Sequence, residues 1–206
     1  MKPIKVLIVD DHALVRMGLA ALLGTEDGIE VVGEAEDGAA AVRQTLCLKP
    51  DVVVMDLMMP DMDGIAATAA IKGKSPKTTI LILTTTTIPD DIVRAIRAGA
   101  SGAVAKSSDN AWLIAAIRKV ASGEQVVAPE IEKLLSEDPP VPALTERQSE
   151  ILEAVTRGLT NADIARQFDI RESSVKEHVN QICTKLGAAN RAEAVAIALR
   201  KHLLKI

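Results

Sequence analysis

Short apolar runs alternate with helix-spaced segments along residues 1–123. The runs IKVLIVDD, IEVVGEAED, DVVVMD, TTILILTT and GAVAK are β-rich. Between them, apolar residues recur at helical spacing over 14–23, 39–48, 65–71, 91–98 and 112–121. Five strands alternating with five helices predict a doubly wound parallel sheet covered on both faces. Such sheets bind ligands beyond the carboxyl ends of their strands, beside the topological switch point, so chemistry is expected there.

From residue 143 the strand pattern is gone. LTERQSEILEAVTRG places Ile151, Leu152 and Val155 on one helical face and stops at Gly158. A short helix over 161–168, the turn DIR and a longer helix to Leu186 follow. In the longer helix Val175, Val179, Ile182 and Leu186 recur at spacings of four, three and four, a single buried stripe. A fourth helix, rich in Ala, Val and Leu, is expected over 190–204. The second and third helices and their short turn fit a helix-turn-helix inside an all-α domain of four helices.

Between the two patterns lies an acidic stretch ending in SEDPPVP. Its prolines 139, 140 and 142 remove backbone donors and favour extended chain, so 124–142 reads as a short, semi-stiff linker. Charge follows the same division. The net −4 separates into −2 for 1–123, −4 for 124–142 and +2 for 143–206.

Composition narrows the function. The chain has 206 residues, enough for two modest domains with cores of their own. Trp112 and Phe168 are its sole aromatics, which argues against a reader of single-stranded nucleic acid built on stacking platforms. Cys47 and Cys183 are too few and too distant for a Cys-rich zinc site or a disulfide framework, and read as small apolar residues in a reducing compartment. The longest apolar run, seven residues over 111–117, is far below the ~18 a membrane span needs. Two acids interrupt the apolar start MKPIKVLIVDD, unlike a signal peptide. A soluble, cytoplasmic protein with no membrane partner is expected.

Acids gather at the predicted strand ends. Asp10 and Asp11 close the first strand, Asp56 the third, Thr84 the fourth and Lys106 the fifth. Charge at the end of a buried strand is costly without partners, and three carboxylates alone would repel one another. A hard divalent cation relieves that repulsion, and Mg²⁺ suits one or two carboxylates with phosphate and water. Thr84 offers a hydrogen bond and Lys106 a fixed positive charge. The set points to phosphoryl transfer onto a carboxylate, where catalysis is mainly positioning and electrostatics. His12 reads as a surface or capping residue, and Asp61 and Asp63 as turn residues.

With DD after the first strand, MDLMMPDMDG around Asp56, Thr84 and Lys106, residues 1–123 resemble the receiver domain of two-component response regulators, a flavodoxin-like fold. That resemblance implies Asp56 as phospho-acceptor. It implies Mg²⁺ held directly by Asp11, Asp56 and the Met58 backbone carbonyl, with Asp10 acting through water. Thr84 and Lys106 would hold the phosphoryl oxygens. One position departs from the pattern: Ala103 stands where such receivers usually carry the Tyr or Phe that follows the Thr hydroxyl inward. Either another element reports the phosphoryl group, or the response is weak, or Ala103 fills a tolerant position.

On the third helix of the second part, Ser173, Lys176, Glu177, Asn180 and Thr184 lie opposite the apolar stripe. They are short or polar enough to approach base edges in a major groove. LTERQSEIL, GLTNADIARQF and SVKEHVNQICTKLGAANRAEAVAIAL, at their spacings, resemble the LuxR-type helix-turn-helix domain of NarL/FixJ response regulators. The resemblance implies Lys176, Glu177 and Asn180 as specificity-determining positions and Thr160, Lys185 and Arg191 as phosphate contacts. His178 would pack or touch phosphate. Arg171 replaces the usual Ser or Thr that caps the recognition helix, so Glu172 or Ser173 is expected to cap instead.

The combined expectation is a transcription regulator, not an enzyme beyond its own phosphoryl transfer and hydrolysis. A histidine kinase would phosphorylate Asp56, and a homodimer, phosphorylated or DNA-bound, would read half-sites in double-stranded DNA. Val195, Ala198 and Leu199 of the fourth helix serve equally as dimer contact or as internal packing. An alternative keeps DNA binding but makes it independent of phosphorylation, as Ala103 permits. A haloacid-dehalogenase-type phosphatase would need Asp-x-Asp after the first strand, where Asp10-Asp11-His12 stands. A dinucleotide-binding module would need a Gly-rich turn there.

Overall fold

A computed structural model describes residues 2–85 and 88–204, and these divide into two units between residues 138 and 139. The first runs β1 (Ile4–Val9), α1 (Ala13–Gly24), β2 (Ile29–Ala35), α2 (Gly38–Leu48), β3 (Val52–Met55), α3 (Gly64–Lys74), β4 (Thr79–Thr84), α4 (Pro89–Arg97), β5 (Gly102–Ala105), α5 (Asn110–Ala121), β6 (Val126–Val127) and α6 (Pro129–Glu137). Its strands pair in the order β2-β1-β3-β4-β5-β6, every pair parallel.

Strand alternation builds two cores from one sheet. Leu7, Val9, Val53, Met55, Ile80 and Ile82 face one side, against α2, α3, α4 and α6. Val6, Ile8, Val52, Val54, Leu81 and Leu83 face the other, against α1 and α5. Both faces are therefore covered, as the near-continuous apolar runs predict. Strand order reverses between β1 and β3, which places their carboxyl ends at the switch point. Asp37, Asp63 and Asp109 cap α2, α3 and α5 by accepting from the amides of Ala40, Ala66 and Ala111.

The linker expected over 124–142 is corrected by the structure. β6 adds a sixth strand beside β5, pairing Gly102 with Val126 and Ala103 with Val127. Gly102 permits this approach, since a Cβ there would lie 2.2 Å from the Val126 carbonyl oxygen. α6 then buries Ile131 in the first core, and Leu134 and Leu135 pack against it. Acidic residues face outward on this helix, so its charge reflects an amphipathic surface and not an unstructured tether.

The second unit holds α7 (Glu146–Thr156), α8 (Asn161–Phe168), α9 (Glu172–Leu186) and α10 (Arg191–Arg200) around one apolar cluster. Thr145 with Gln148 and Thr160 with Asp163 form capping boxes at α7 and α8. The turn between α8 and α9 places Asp169 in the left-handed region at φ 51°, and Gly187 ends α9 at φ 67°. Neither Glu172 nor Ser173 caps α9; Arg171 takes the N-cap position without a side-chain bond. Ala198 is buried in the cluster, Val195 packs against it and Leu199 is exposed, which divides the expected face of α10 between packing and solvent. Both cysteines are free: Cys47 is exposed, while Cys183 packs against the helical cluster and burial pushes its thiol up.

Candidate functional site

Four strand ends assemble the first site. Ladder hydrogen bonds continue past β1 and β3, the Asp10 amide donating to the Ala35 carbonyl at 3.1 Å and the Asp56 amide to that of Val9 at 2.9 Å. Asp10 and Asp56 are thus held at the sheet's edge, 1% and 3% exposed. The loop after Asp56 folds back closely at Gly64, where a Cβ would sit 2.1 Å from the Asp56 carbonyl oxygen. Asp61 takes the left-handed region at φ 61° and Asp63 caps α3, so both are turn residues as expected.

Lys106, just after β5, reaches two carboxylates. Its Nζ lies 2.5 Å from Asp10 Oδ2 and 2.9 Å from Asp56 Oδ2. Asp11 is half-buried beside them. The His12 amide donates to Asp10 Oδ1 at 2.9 Å, and His12 Nδ1 stands 2.7 Å from Asp11 Oδ1. Donor atoms of Asp10, Asp11, His12 and Asp56 all fall within 4.8 Å of one another. His12 therefore belongs to the cluster spatially, although the sequence presents it only as a helix-start residue.

Electrostatics explain what this cluster can hold. Burial pushes the Asp56 carboxyl above its ordinary value, outweighing the hydrogen bond and charge of Lys106. Burial also pulls the Lys106 ammonium down, but the hydrogen bonds and charges of Asp10 and Asp56 prevail and hold it above its ordinary value. Asp56 Oδ1 is buried without a hydrogen-bond partner, and Asp11 Oδ1 has only the His12 ring beside it. Three carboxylates against one ammonium, with the Asp56 Oδ1 orphaned, form an anionic, oxygen-rich donor set, which fits a hard divalent cation.

Thr84, fully buried, ends β4, and its carbonyl accepts from the Lys106 amide at 2.8 Å. Met58 is half-exposed, and its backbone amide favours the charged form of Asp56. Ala103 is fully buried in β5, in the same cluster as Ala128 and Ile131. A cavity of about 300 Å³ is lined among others by Thr84, Ala105, Ile131 and Leu134. The face over Ala103 is thus covered by α6, an element the sequence reading placed in a linker. VVAPEIEKLL does carry the signal, with Pro129 at a helix start and Ile131, Leu134 and Leu135 at helical spacing.

The second site is the outward face of α9. Val175, Ile182 and Leu186 are buried and Val179 packs against the cluster, while Ser173, Lys176, Glu177, Asn180 and Thr184 are all exposed. An open depression of about 460 Å³ is lined by Gln148, Glu177, Asn180, Gln181, Thr184 and Lys185. Lys185 Nζ donates to the Ala143 carbonyl at 2.9 Å and to Gln148 Oε1 at 2.8 Å. Arg191 donates to the Leu159 carbonyl at 2.7 Å and Asn161 Oδ1 at 3.4 Å, and lines a separate depression with Thr160. Thr160 caps α8. These three residues hold the domain together locally as well as sitting near its surface. His178 is half-buried, with Nδ1 unpartnered among the described residues.

Comparison with known proteins divides the chain at the same place. The model of the response regulator receiver domain matches residues 6–118, and that of the luxR family of bacterial regulatory proteins matches residues 142–198. The response regulator protein VraR of Staphylococcus aureus (strain Mu3 / ATCC 700698) is 38% identical over 98% of this chain and 99% of its own length. Among solved structures, the response regulator ChrA of a heme-sensing two-component system is 36% identical, with a TM-score of 0.60 over 99% of this chain and 100% of that one. The two-component response regulator RcsB in complex with DNA is 25% identical, with a TM-score of 0.70 over 97% and 99%.

Proposed function

The chain belongs to the response regulators that join a receiver domain to a LuxR-family DNA-binding domain, and from that premise we propose a transcription regulator switched by phosphorylation of Asp56. The observation that carries this reading is the convergence of Asp10, Asp11, Asp56 and Lys106 at one sheet edge, with the buried Asp56 Oδ1 left without a partner. Asp11, Asp56 and the Met58 carbonyl, with Asp10 behind them, would hold Mg²⁺, which supplies charge neutralisation for the phosphoryl oxygens. An Asp56 carboxylate oxygen takes the phosphoryl group as the phosphorus–nitrogen bond of the kinase's phosphohistidine breaks. Lys106 stands over the acceptor and neutralises charge there, and Thr84 donates its hydroxyl to a phosphoryl oxygen. The partner is a histidine kinase, and the setting is the cytoplasm. Catalysis by the chain is confined to its own phosphoryl transfer and hydrolysis, so it is a regulator and not an enzyme with turnover of a separate substrate.

The second unit would bind double-stranded DNA through α9, a reading supported by the likeness to RcsB, which is solved in complex with DNA. Lys176, Glu177 and Asn180 face base edges, and Thr160, Lys185 and Arg191 face the flanking phosphates. Lys185 and Arg191 keep N–H groups beyond those in their internal bonds, so one side chain can both brace the fold and meet a phosphate. Two copies, paired when phosphorylated or on DNA, would read two half-sites, with exposed Leu199 available to the contact. Domain boundaries follow as receiver 1–138, a short connector, and the DNA-binding unit.

Labelling with radioactive acetyl phosphate and Mg²⁺ tests the acceptor. Asp56→Asn abolishes labelling, and persistent labelling of that variant overturns the assignment. Ala103 favours a second reading, in which DNA binding does not respond to the phosphoryl group. Operator affinity measured with and without acetyl phosphate separates the two.

A further inference from the structure

A polar chain links the start of α7 to the outward face of α9. Lys185 Nζ donates to Gln148 Oε1 at 2.8 Å, and the Thr145 amide donates to the same oxygen at 3.1 Å. Gln148 Nε2 donates to Gln181 Oε1 at 3.2 Å, and Gln181 Nε2 donates to Glu177 Oε1 at 3.3 Å. The direction of this chain is fixed at its buried end. An ammonium and a backbone amide can only donate, so Gln148, 4% exposed, must turn its carbonyl oxygen toward them. Its NH₂ then points to Gln181, which must present its own oxygen inward and its NH₂ to Glu177. Neither amide can flip without setting donor against donor or oxygen against oxygen.

We infer that Gln181, oriented through Gln148 and Lys185, is a positioning residue that presets the Glu177 carboxylate as a hydrogen-bond acceptor for cytosine in the half-site. The inference rests on α9 being the DNA-reading helix. Gln181 holds one carboxylate oxygen from the side, fixing a long, exposed side chain that would otherwise sample many rotamers. A carboxylate accepts and cannot donate. Guanine presents two acceptors in the major groove and repels it. Adenine sets its N7 acceptor beside the N6 amino group. Thymine offers an acceptor and a methyl group. Cytosine alone presents its N4 amino group with no acceptor on the same base. Glu177 is thus chemically committed, and the chain behind it supplies the geometry.

The test is selection of duplexes from a randomised pool by the full-length protein, followed by sequencing. The unaltered chain enriches cytosine at one position of each half-site. Glu177→Gln abolishes that preference, because the new amide can donate. Gln181→Leu, an exposed substitution that leaves the helical cluster intact, keeps cytosine as the preferred base. It weakens the preference about three- to tenfold, as loss of one modest hydrogen bond does, and leaves the other positions unchanged. A merely structural role for Gln181 would lower affinity for all sequences alike. Full cytosine preference in Gln181→Leu overturns the positioning role. Sequence-specific enrichment without cytosine, or unaltered cytosine preference in Glu177→Gln, overturns the base assignment while leaving the DNA-binding reading in place. No enrichment by the unaltered chain overturns that reading and this inference together.

Discussion

Replacing Asp56 with asparagine should make the receiver more stable when divalent cations are absent. The Asp56 carboxylate is 3% exposed, with one oxygen bonded to Lys106 and the other without a partner. An unsatisfied buried polar atom costs about 1–3 kcal/mol, and more when charged. Asparagine has nearly the same shape and keeps an oxygen for Lys106; its NH₂ inherits the unpartnered position, so the gain comes from removing the buried charge. Lys106 retains Asp10, so no new orphan ion forms. A gain of about 1–2 kcal/mol is expected at neutral pH, an increase in melting temperature of about 2–8 °C for a domain of this size.

The pH dependence has a definite sign. Burial raises the Asp56 carboxyl above its ordinary 3.8 in the folded chain, so the folded state holds that proton more tightly. The associated stability is fully present below 3.8 and is lost as pH rises through the folded value. The advantage of the asparagine variant is therefore greatest at neutral pH and closes toward acid. Saturating Mg²⁺ reverses the order, since a ligand at a hundred times its dissociation constant adds about 2.7 kcal/mol to the form that binds it. Scanning calorimetry with chelator and with excess Mg²⁺ measures both effects. A lower melting temperature for the variant in chelator, or equal Mg²⁺ increments in both proteins, would refute the reasoning.

Gly64→Ala should both lower receiver stability and slow acetyl phosphate labelling, because its Cβ meets the Asp56 carbonyl oxygen; labelling at the original rate contradicts that. A chain ended after Gly123 should melt lower than one ended after Asp138. It loses the buried side chains of Val126 and Ile131, each worth about 1.5–3 kcal/mol, and a urea titration of the two fragments gives the difference. Thr145→Ala removes the cap of α7 and should cost the second unit about 1 kcal/mol, read from its own denaturation transition.

Much of this architecture is legible in the sequence because burial leaves a simple trace. Strands buried on both faces must be apolar throughout, so Val6–Val9 and Val52–Met55 stand out, and the acids that follow them mark the sheet edge. What escaped had weaker local signals. A two-residue strand such as β6 has no period to detect, and its pairing depends on Gly102 admitting a carbonyl from a segment far along the chain. α6 shows its apolar positions, but five acids over 124–142 and the prolines beyond pull the reading toward a linker. His12 joins the carboxylates only because β1 ends where it does. The chain from Lys185 to Glu177 is absent from any sequence pattern, since Gln148 and Gln181 are 33 residues apart and meet through packing of α7 on α9.

Trp112 packs against both core clusters of the receiver, and the chain has no other tryptophan and no tyrosine. Emission excited in the indole band therefore originates in one domain, from a ring lodged where the two layers around the sheet meet. The DNA-binding unit, whose sole aromatic is Phe168, is dark at that wavelength. The protein carries a built-in optical reporter of its receiver: ligand titrations and unfolding of that half can be followed without a label and without contribution from the other half, and added duplex DNA that leaves the receiver unchanged will leave the emission maximum where it is.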